Sequence, residues 1–517
     1  MRKKTGHTFL IIIFLIIVVL NVIVTVHVSK NLLDDDTSGE MLLSKCLFDE
    51  KSLVCSDWEY ATEIRITNQL IFAPLFGIFS EWTDVRITGT LIIQLILLFS
   101  FIFMMKASSH HSDSILLGCS LLLLPYCVAY GRVILYHCYY ALYISQVFLI
   151  ITFFLRVLDK KQTKLSLAIL ILLCFSGCLT GIRIVFIGIL PLCVFGFSEL
   201  FRNNKKTFQL AILCGIAGAA GFLVYTFGLT KLFHLRSELH HMPEFKGMAA
   251  IWVVLFSILR QFSYRSGIPS GGLLSIMSYA GIGTALYALL QSAISALTEK
   301  DSKKRLVNGM LFLQIVLTAL SLIFFDLPFN SRFDYSRYLV PASVWSIPLF
   351  CGIFERKNKL IQKVLFYTIL TIFTGNGLIN LCFFRNPAVF TQEYDGLSYR
   401  STESITRFDD AIRFIRENNY NTGYAFKDIN ALSEYMNGFP IIGIQYNEGR
   451  LSYLNWLTRK NIRNSPGENV FLIANYNDAE TFRGITAPEL SELVYQDKNE
   501  LFIYQINDPD AFKSFLK

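Results

Sequence analysis

Four carboxylates fall within seven residues in Asp34-Asp35-Asp36-Thr37-Ser38-Gly39-Glu40, a few residues after an apolar run that extends from Phe9 to about Val28. Two chemistries suit this stretch. The first is structural: Thr37-x-x-Glu40 has the form of a capping box, and acidic side chains favour a helix N-terminus, where the backbone dipole leaves partial positive charge. The second is catalytic: one carboxylate acts as a general base, with Glu40 one turn beyond Asp36 on the same helix face. A single Asp or Ser would have sufficed as a cap, so the crowding asks for a further role. Adjacent aspartates also offer oxygen ligands of the kind Mg²⁺ or Mn²⁺ prefers, at Asp34 and Asp36.

The elements that must position these residues are membrane helices. The chain has 517 residues, 53% of them hydrophobic and 17% charged, with a mean hydropathy of +0.46. That is more apolar surface than one soluble core needs, and it indicates a polytopic membrane protein. The net charge of +8 gathers in short loops between apolar runs, as the positive-inside rule expects, and so carries no implication of nucleic-acid binding. Most of the eleven cysteines lie inside apolar segments as small hydrophobes. Cys46 and Cys55 lie in a polar segment placed outside the membrane, where a disulfide is permitted without being required.

Arg2, Lys3 and Lys4 precede the first apolar run, which is long enough to span a bilayer and is read as a retained helix with its N-terminus inside. Residues 29–87 then form a long first exterior loop, with a helix from Thr37 to about Phe48 and a short, proline-broken apolar segment near Ile71–Phe76 at the interface. Trp58, Tyr60 and Trp82 are expected at headgroup depth. Further spans are expected at about 88–105, 115–130, 136–155, 165–180, 183–199, 208–229, 271–297, 306–325, 338–354 and 364–384. Loop parity leaves 248–262 as an interfacial or re-entrant helix and gives about eleven crossings. His240 and His241, beside Glu238 and Glu244, match no trusted ligand spacing and read as a solvated loop.

From about residue 385 aliphatic runs shorten, and residues 385–517 read as an exterior soluble α/β or α+β domain following a membrane domain over 1–384. Helices are expected at about 407–418, 429–437 and 450–460, with strands near 423–426, 440–446, 469–474, 492–496 and 500–506. With no phosphate loop, nucleophile elbow or zinc motif, the segment reads as a lid or acceptor-recognition module.

Asp34-Asp35-x-x-x-Gly39-Glu40, Trp58-x-Tyr60-x-Thr62-Glu63-Ile64-Arg65 and Arg337-Tyr338-Leu339-Val340-Pro341, on this layout, resemble the GT-C superfamily of integral-membrane glycosyltransferases. The branch is that of protein O-mannosyltransferases, aminoarabinose transferases and RgtA-like enzymes. The resemblance covers about residues 1–384, and the extra Asp36 departs from the simplest family pattern. It implies transfer of a sugar from a polyprenyl-phosphate-linked donor to a cell-surface glycan, lipid or protein acceptor on the exterior face of the plasma membrane, usually without a metal cofactor. A carboxylate among Asp34, Asp36 and Glu40 would deprotonate the acceptor hydroxyl, while cations near the outer surface would stabilise the departing lipid phosphate. By position these are Arg183 and Arg337 with Tyr338, then Arg65 and Arg132, and His137 at the outer end of a span. Snorkelling to headgroups is the alternative role for such arginines. A transporter, flippase or polymerase of lipid-linked glycans would also need many spans. Transporters show repeated halves with broken helices at the midplane, and no such repeat is visible here.

Overall fold

The computed structural model describes residues 2–60, 68–159, 164–233, 245, 247–262, 273–324, 335–356, 360–385, 404–447, 450–454, 457–464, 467–485, 488–498 and 501–516. They form two compact units, Met1–Val26 with Thr90–Tyr399, and His27–Gly89 with Arg400–Lys517. The first loop, which the sequence reading kept with the spans, clusters with the C-terminal segment.

The first unit is a bundle of apolar helices belonging to an integral membrane protein. Among the described residues eight helices are long and apolar enough to cross a bilayer: His7–Asn31, Trp82–Ala107, Ala141–Leu158, Lys205–Leu232, Ile276–Thr298, Ser302–Phe324, Arg337–Glu355 and Lys363–Cys382. Each falls on an expected span. Where the other three spans are expected the described helices are shorter, Ser112–Leu122, Lys164–Cys178 and Val185–Leu200, so that eight of the eleven expected crossings have a helix of spanning length among the described residues. Ser112–Leu122 stops before Pro125, which lacks an amide hydrogen; the chain resumes with one turn at Val128–Tyr130 and a π-helix over Gly131–Tyr136. Met248–Leu259 is a twelve-residue helix, consistent with its exclusion from the crossings.

Ion pairs gather the basic loops at one end of this unit, as alternating parity requires. Lys303 pairs with Asp159, Arg305 with the buried Glu199, and His7 with Asp113; Glu355 takes Lys304, His110 and the amide of His111. Inside the bundle, Gln94 accepts from Asn21 at 2.7 Å and donates to Thr25 at 3.0 Å and to the Leu135 carbonyl at 2.6 Å. Such bonds between helices replace the hydrophobic drive that is absent in lipid.

The second unit is built on a six-stranded sheet in the order β4-β3-β2-β6-β8-β7. Its strands are β2 (Thr422–Ala425), β3 (Ile441–Asn447), β4 (Arg450–Tyr453), β6 (Val470–Asn475), β7 (Ser491–Gln496) and β8 (Leu501–Ile506). A two-stranded ribbon pairs β1 (Trp58–Glu59) with β5 (Thr458–Arg459). β2 runs parallel to β3 and β6, and the remaining pairs are antiparallel. A parallel pair needs a crossover, and the helix Ile429–Tyr435 supplies it between β2 and β3. Side chains alternate across the sheet. Phe471 and Ile473 of β6 pack with Leu33, Phe408, Ile412 and Leu432 on one face, and Val470, Leu472 and Ala474 pack with Phe482 and Phe512 on the other.

All five expected strands are present, whereas the helix expected over 450–460 is not. Arg450–Tyr453 instead pairs antiparallel with β3, placing the buried Leu451 opposite Tyr446, and Thr458–Arg459 joins β1. Long-range pairing overrides local helical propensity here. The aromatic residues expected to anchor at headgroup depth, Trp58, Tyr60 and Trp82, are buried within this unit. Trp82 meets Phe76 edge-on with ring centroids 5.0 Å apart. It lies so close to Gly438 (φ +84°) that a Cβ there would sit 2.5 Å from the indole, so glycine answers both the left-handed backbone and the contact.

Cys46 and Cys55 form a disulfide, and the other nine cysteines are free thiols. Alkylation of the unfolded, unreduced chain should therefore label nine cysteines, and labelling after reduction should reach eleven, as counted by intact mass. For so short a loop, loss of the bridge should lower the stability of this unit by about 2–3 kcal/mol.

Candidate active site

Asp34 is the N-cap of the helix Asp35–Glu50, with extended backbone (φ −134°, ψ 157°). Its Oδ1 accepts from the Thr37 amide at 2.9 Å and from the Thr37 hydroxyl at 3.0 Å. The expected capping box therefore starts three residues earlier than Thr37, because Asp35 and Asp36 already adopt helical geometry. Glu40 Oε2 accepts from Asn68 Nδ2 at 2.7 Å. Asp34 and Glu40 are both buried, and Asp36 is half-buried. Gly39 lies beneath them, where an added Cβ would be 3.1 Å from Asn430 Nδ2 and 3.3 Å from Leu457, which explains the small residue in the motif by close packing.

Asp35 is committed elsewhere. Its Oδ1 accepts from the backbone amides of Asn430 at 2.9 Å and Ala431 at 3.2 Å, and Asn430 Nδ2 donates to its carbonyl at 3.2 Å. These are first-turn amides of the helix Ile429–Tyr435, which intrahelical bonding leaves open. The helix's own N-cap, Asp428, makes no side-chain cap; it sits at φ 53° and pairs with Arg407. Part of Asp35 meets solvent, yet dense protein around the carboxylate pushes its pKa up to about 7, with Asp428 and Asp34 adding to the rise and the Ala431 and Asn430 amides opposing it. Burial disfavours the charged form, and like charges add to the effect.

Beneath the stretch, Arg86 forms a bidentate ion pair with Glu434, and both side chains are almost wholly buried. Arg86 also interacts electrostatically with Asp34 and Glu40, so one guanidinium offsets several carboxylates. Sequence reasoning missed Arg86, Glu434 and Asn68. An available signal was that an arginine one turn into an apolar span is costly unless it is paired.

The membrane unit carries a second cluster. The Arg183 guanidinium lies 4.9 Å from the Tyr140 ring centroid, and that of Arg337 lies 5.1 Å from the Tyr338 ring, within cation–π range. Arg337 also donates to the Tyr338 hydroxyl at 3.2 Å, and Tyr338 lies within electrostatic reach of both Arg183 and Tyr140. The structure thus brings Arg183 to the sequence-adjacent pair Arg337 and Tyr338, and adds Tyr140, which sequence reasoning did not single out. His137 ends the π-helix Gly131–Tyr136, three residues before Tyr140, with its amide on the Arg132 carbonyl at 2.9 Å and its ring 6.1 Å from that of Tyr139. A second π-helix, Val185–Ile189, follows Arg183. Such turns recur at functional sites because they redirect side chains. Arg65, His240 and His241 lie outside the described residues.

Among the described residues the group of three metal-type side chains is Cys46, Glu50 and Cys55, and its two sulfurs are already joined.

No protein-family model matches the chain, and no curated protein matches it. Among solved structures it is similar to ArnT from Cupriavidus metallidurans bound to undecaprenyl phosphate, at 10% identity and a TM-score of 0.55, over 95% of this chain and 97% of that one. It also matches the apo ArnT structure at 11% identity and a TM-score of 0.47, over 97% and 98% of the two chains. AglB from Archaeoglobus fulgidus, in complex with an inhibitory peptide and a dolichol-phosphate, matches at 12% identity and a TM-score of 0.47, over 83% and 64%. The chain shares the helical membrane fold of the ArnT structure bound to undecaprenyl phosphate over nearly its whole length, with a sheet-containing C-terminal segment.

Replacing Arg86 by Met should leave Glu434 buried and unpaired and lower stability by about 3–5 kcal/mol, whereas Arg86→Met with Glu434→Leu should recover most of that loss. Denaturant unfolding of the three proteins measures the coupling.

Proposed function

We propose that the chain is an exterior-facing membrane glycosyltransferase that moves a sugar from a polyprenyl-phosphate donor to a hydroxyl of a cell-envelope glycan, lipid or protein. The observation that carries this reading is the near full-length likeness to ArnT bound to undecaprenyl phosphate. Two clusters of this chain support it, because they provide the two kinds of group the reaction needs.

Arg183 and Arg337 hold the donor phosphate, and the adjoining Tyr140 and Tyr338 keep the guanidinium planes directed. Arginine suits this task through its fixed fork of donors. A carboxylate of the acidic stretch takes the acceptor hydroxyl proton as the acceptor oxygen bonds to the sugar's anomeric carbon. The bond from that carbon to the phosphate oxygen breaks, and polyprenyl phosphate leaves with the bonding electrons, its charge balanced by the arginines. Asp34 takes the role of base, with Asp36 as the second candidate. Arg86 lowers the cost of holding Asp34 and Glu40 buried and charged. No metal is required in this scheme.

The test is incubation of purified protein with a panel of polyprenyl-phosphate sugars, with and without EDTA, scoring release of polyprenyl phosphate. Asp34→Asn retains a cap oxygen for Thr37 but removes proton acceptance, so kcat should fall by about 10²–10⁴ with the fold kept. Arg337→Ala should raise the donor KM, and Arg337→Lys should restore it only in part, because a lysine cannot form the bidentate contact. Full activity in an Asp34→Asn, Asp36→Asn double variant would remove the acidic stretch from the chemistry.

A further inference from the structure

The middle carboxylate of the triplet has no part in the proton transfer described above, yet it is bonded to a helix of the C-terminal segment. We infer that Asp35 is a positioning residue: it anchors the acidic stretch to the helix Ile429–Tyr435, and so sets the directions in which Asp34 and Asp36 point. This inference rests on the glycosyl-transfer reading for its functional consequence and on geometry alone for the anchor.

The anchor has three bonds, two from backbone amides to Oδ1 and one from the Asn430 side chain to the Asp35 carbonyl. It therefore fixes both the side chain and the peptide from which the helix starts. Successive residues of a helix point about 100° apart around its axis, so fixing Asp35 at the first helical position turns Asp36 away from that side, and it holds the point at which the extended N-cap Asp34 joins the helix. The same C-terminal helix contributes Glu434 at its other end to the Arg86 pair. One seven-residue helix thereby determines both the orientation of the stretch and the charge beneath it. The C-terminal segment has this role without supplying any reacting group.

The groups facing Asp35 also make the anchor sensitive to pH. Asp34 lies on its own element; Asp428, paired with Arg407, comes from the C-terminal segment. Arg86 faces Asp34 and Glu40 and is paired with Glu434. The pKa of Asp35 in the folded chain, about 7, lies above its unperturbed 3.8, so the folded state holds this proton more tightly than the unfolded state. The stabilisation is complete below the unperturbed value and is lost as pH rises toward the folded one.

The experiment uses the full chain in detergent or nanodiscs as wild type, Asp35→Ala and Asp35→Asn. It measures amide hydrogen exchange at Asn430 and Ala431, and kcat and KM for a donor from the panel. Asp35→Ala should speed exchange at both amides by about tenfold or more. It should also cut kcat by about 10–100-fold while the donor KM stays within about twofold. Asp35→Asn, whose amide oxygen still accepts, should recover most of both losses. Wild-type protection, corrected for intrinsic rate, should decline between about pH 5 and pH 7 and stay flat in Asp35→Asn. Unchanged exchange in Asp35→Ala would overturn the anchor. Faster exchange with unchanged kcat, or a loss carried wholly by KM, would overturn the positioning role. If the wild type turns over no donor of the panel, the glycosyl-transfer reading and the positioning role fall together, and the exchange data decide the anchor by themselves.

Discussion

The bidentate pair between Arg86 and Glu434 is the interaction on which the C-terminal unit and the acidic stretch both depend. Moving either charge out of water alone would cost several kcal/mol, so each is tolerable there only because the other is present. The pair ties the start of the span Trp82–Ala107 to the helix Ile429–Tyr435. Its guanidinium interacts with Asp34 and Glu40 as well, so one buried cation offsets charge on three carboxylates.

The surrounding contacts point the same way. Leu33, just ahead of the stretch, enters the core beneath the sheet. Trp82 packs on Gly438, Asn437 bonds to Glu81, and β1 pairs with β5. The first loop thus forms part of the hydrophobic and hydrogen-bonded structure of the C-terminal segment, which accounts for its clustering with that segment and not with the spans. A stretch held this way has little conformational freedom left, and pre-organisation of that kind favours a charge-handling site.

In the membrane unit low polarity gives the same rule a different expression. Some polar groups there are paired across helices, as in Asn21, Gln94 and Thr25, and others are gathered at one end, as in the pairs of Glu199, Glu355 and Asp159. Arg183 and Arg337 are held against tyrosine rings, which contribute a π-face and leave the guanidinium donors directed by a rigid plane.

What could be read from the sequence was whatever local pattern and composition dictate. Apolar run length identified the spans, because a bilayer needs about 20 apolar residues per helix. Short apolar runs identified all five strands expected in the C-terminal segment, because strands of a sheet buried on both faces are apolar almost continuously. The short family-like motifs selected Asp34, Glu40, Arg337 and Tyr338 as residues of interest, and position at the end of a span selected Arg183. Pairings between distant segments were left to tertiary structure. Arg450–Tyr453 became a strand because β3 offered an edge, Trp58 and Trp82 were buried because the C-terminal segment covers them, and Asp35 was separated from its two neighbours in role. Three adjacent aspartates are indistinguishable as sequence. They differ only once one caps its own helix, one caps another helix, and one remains half-buried on the first turn, since hydrogen-bond partners and burial, and not residue type, decide what a carboxylate can do.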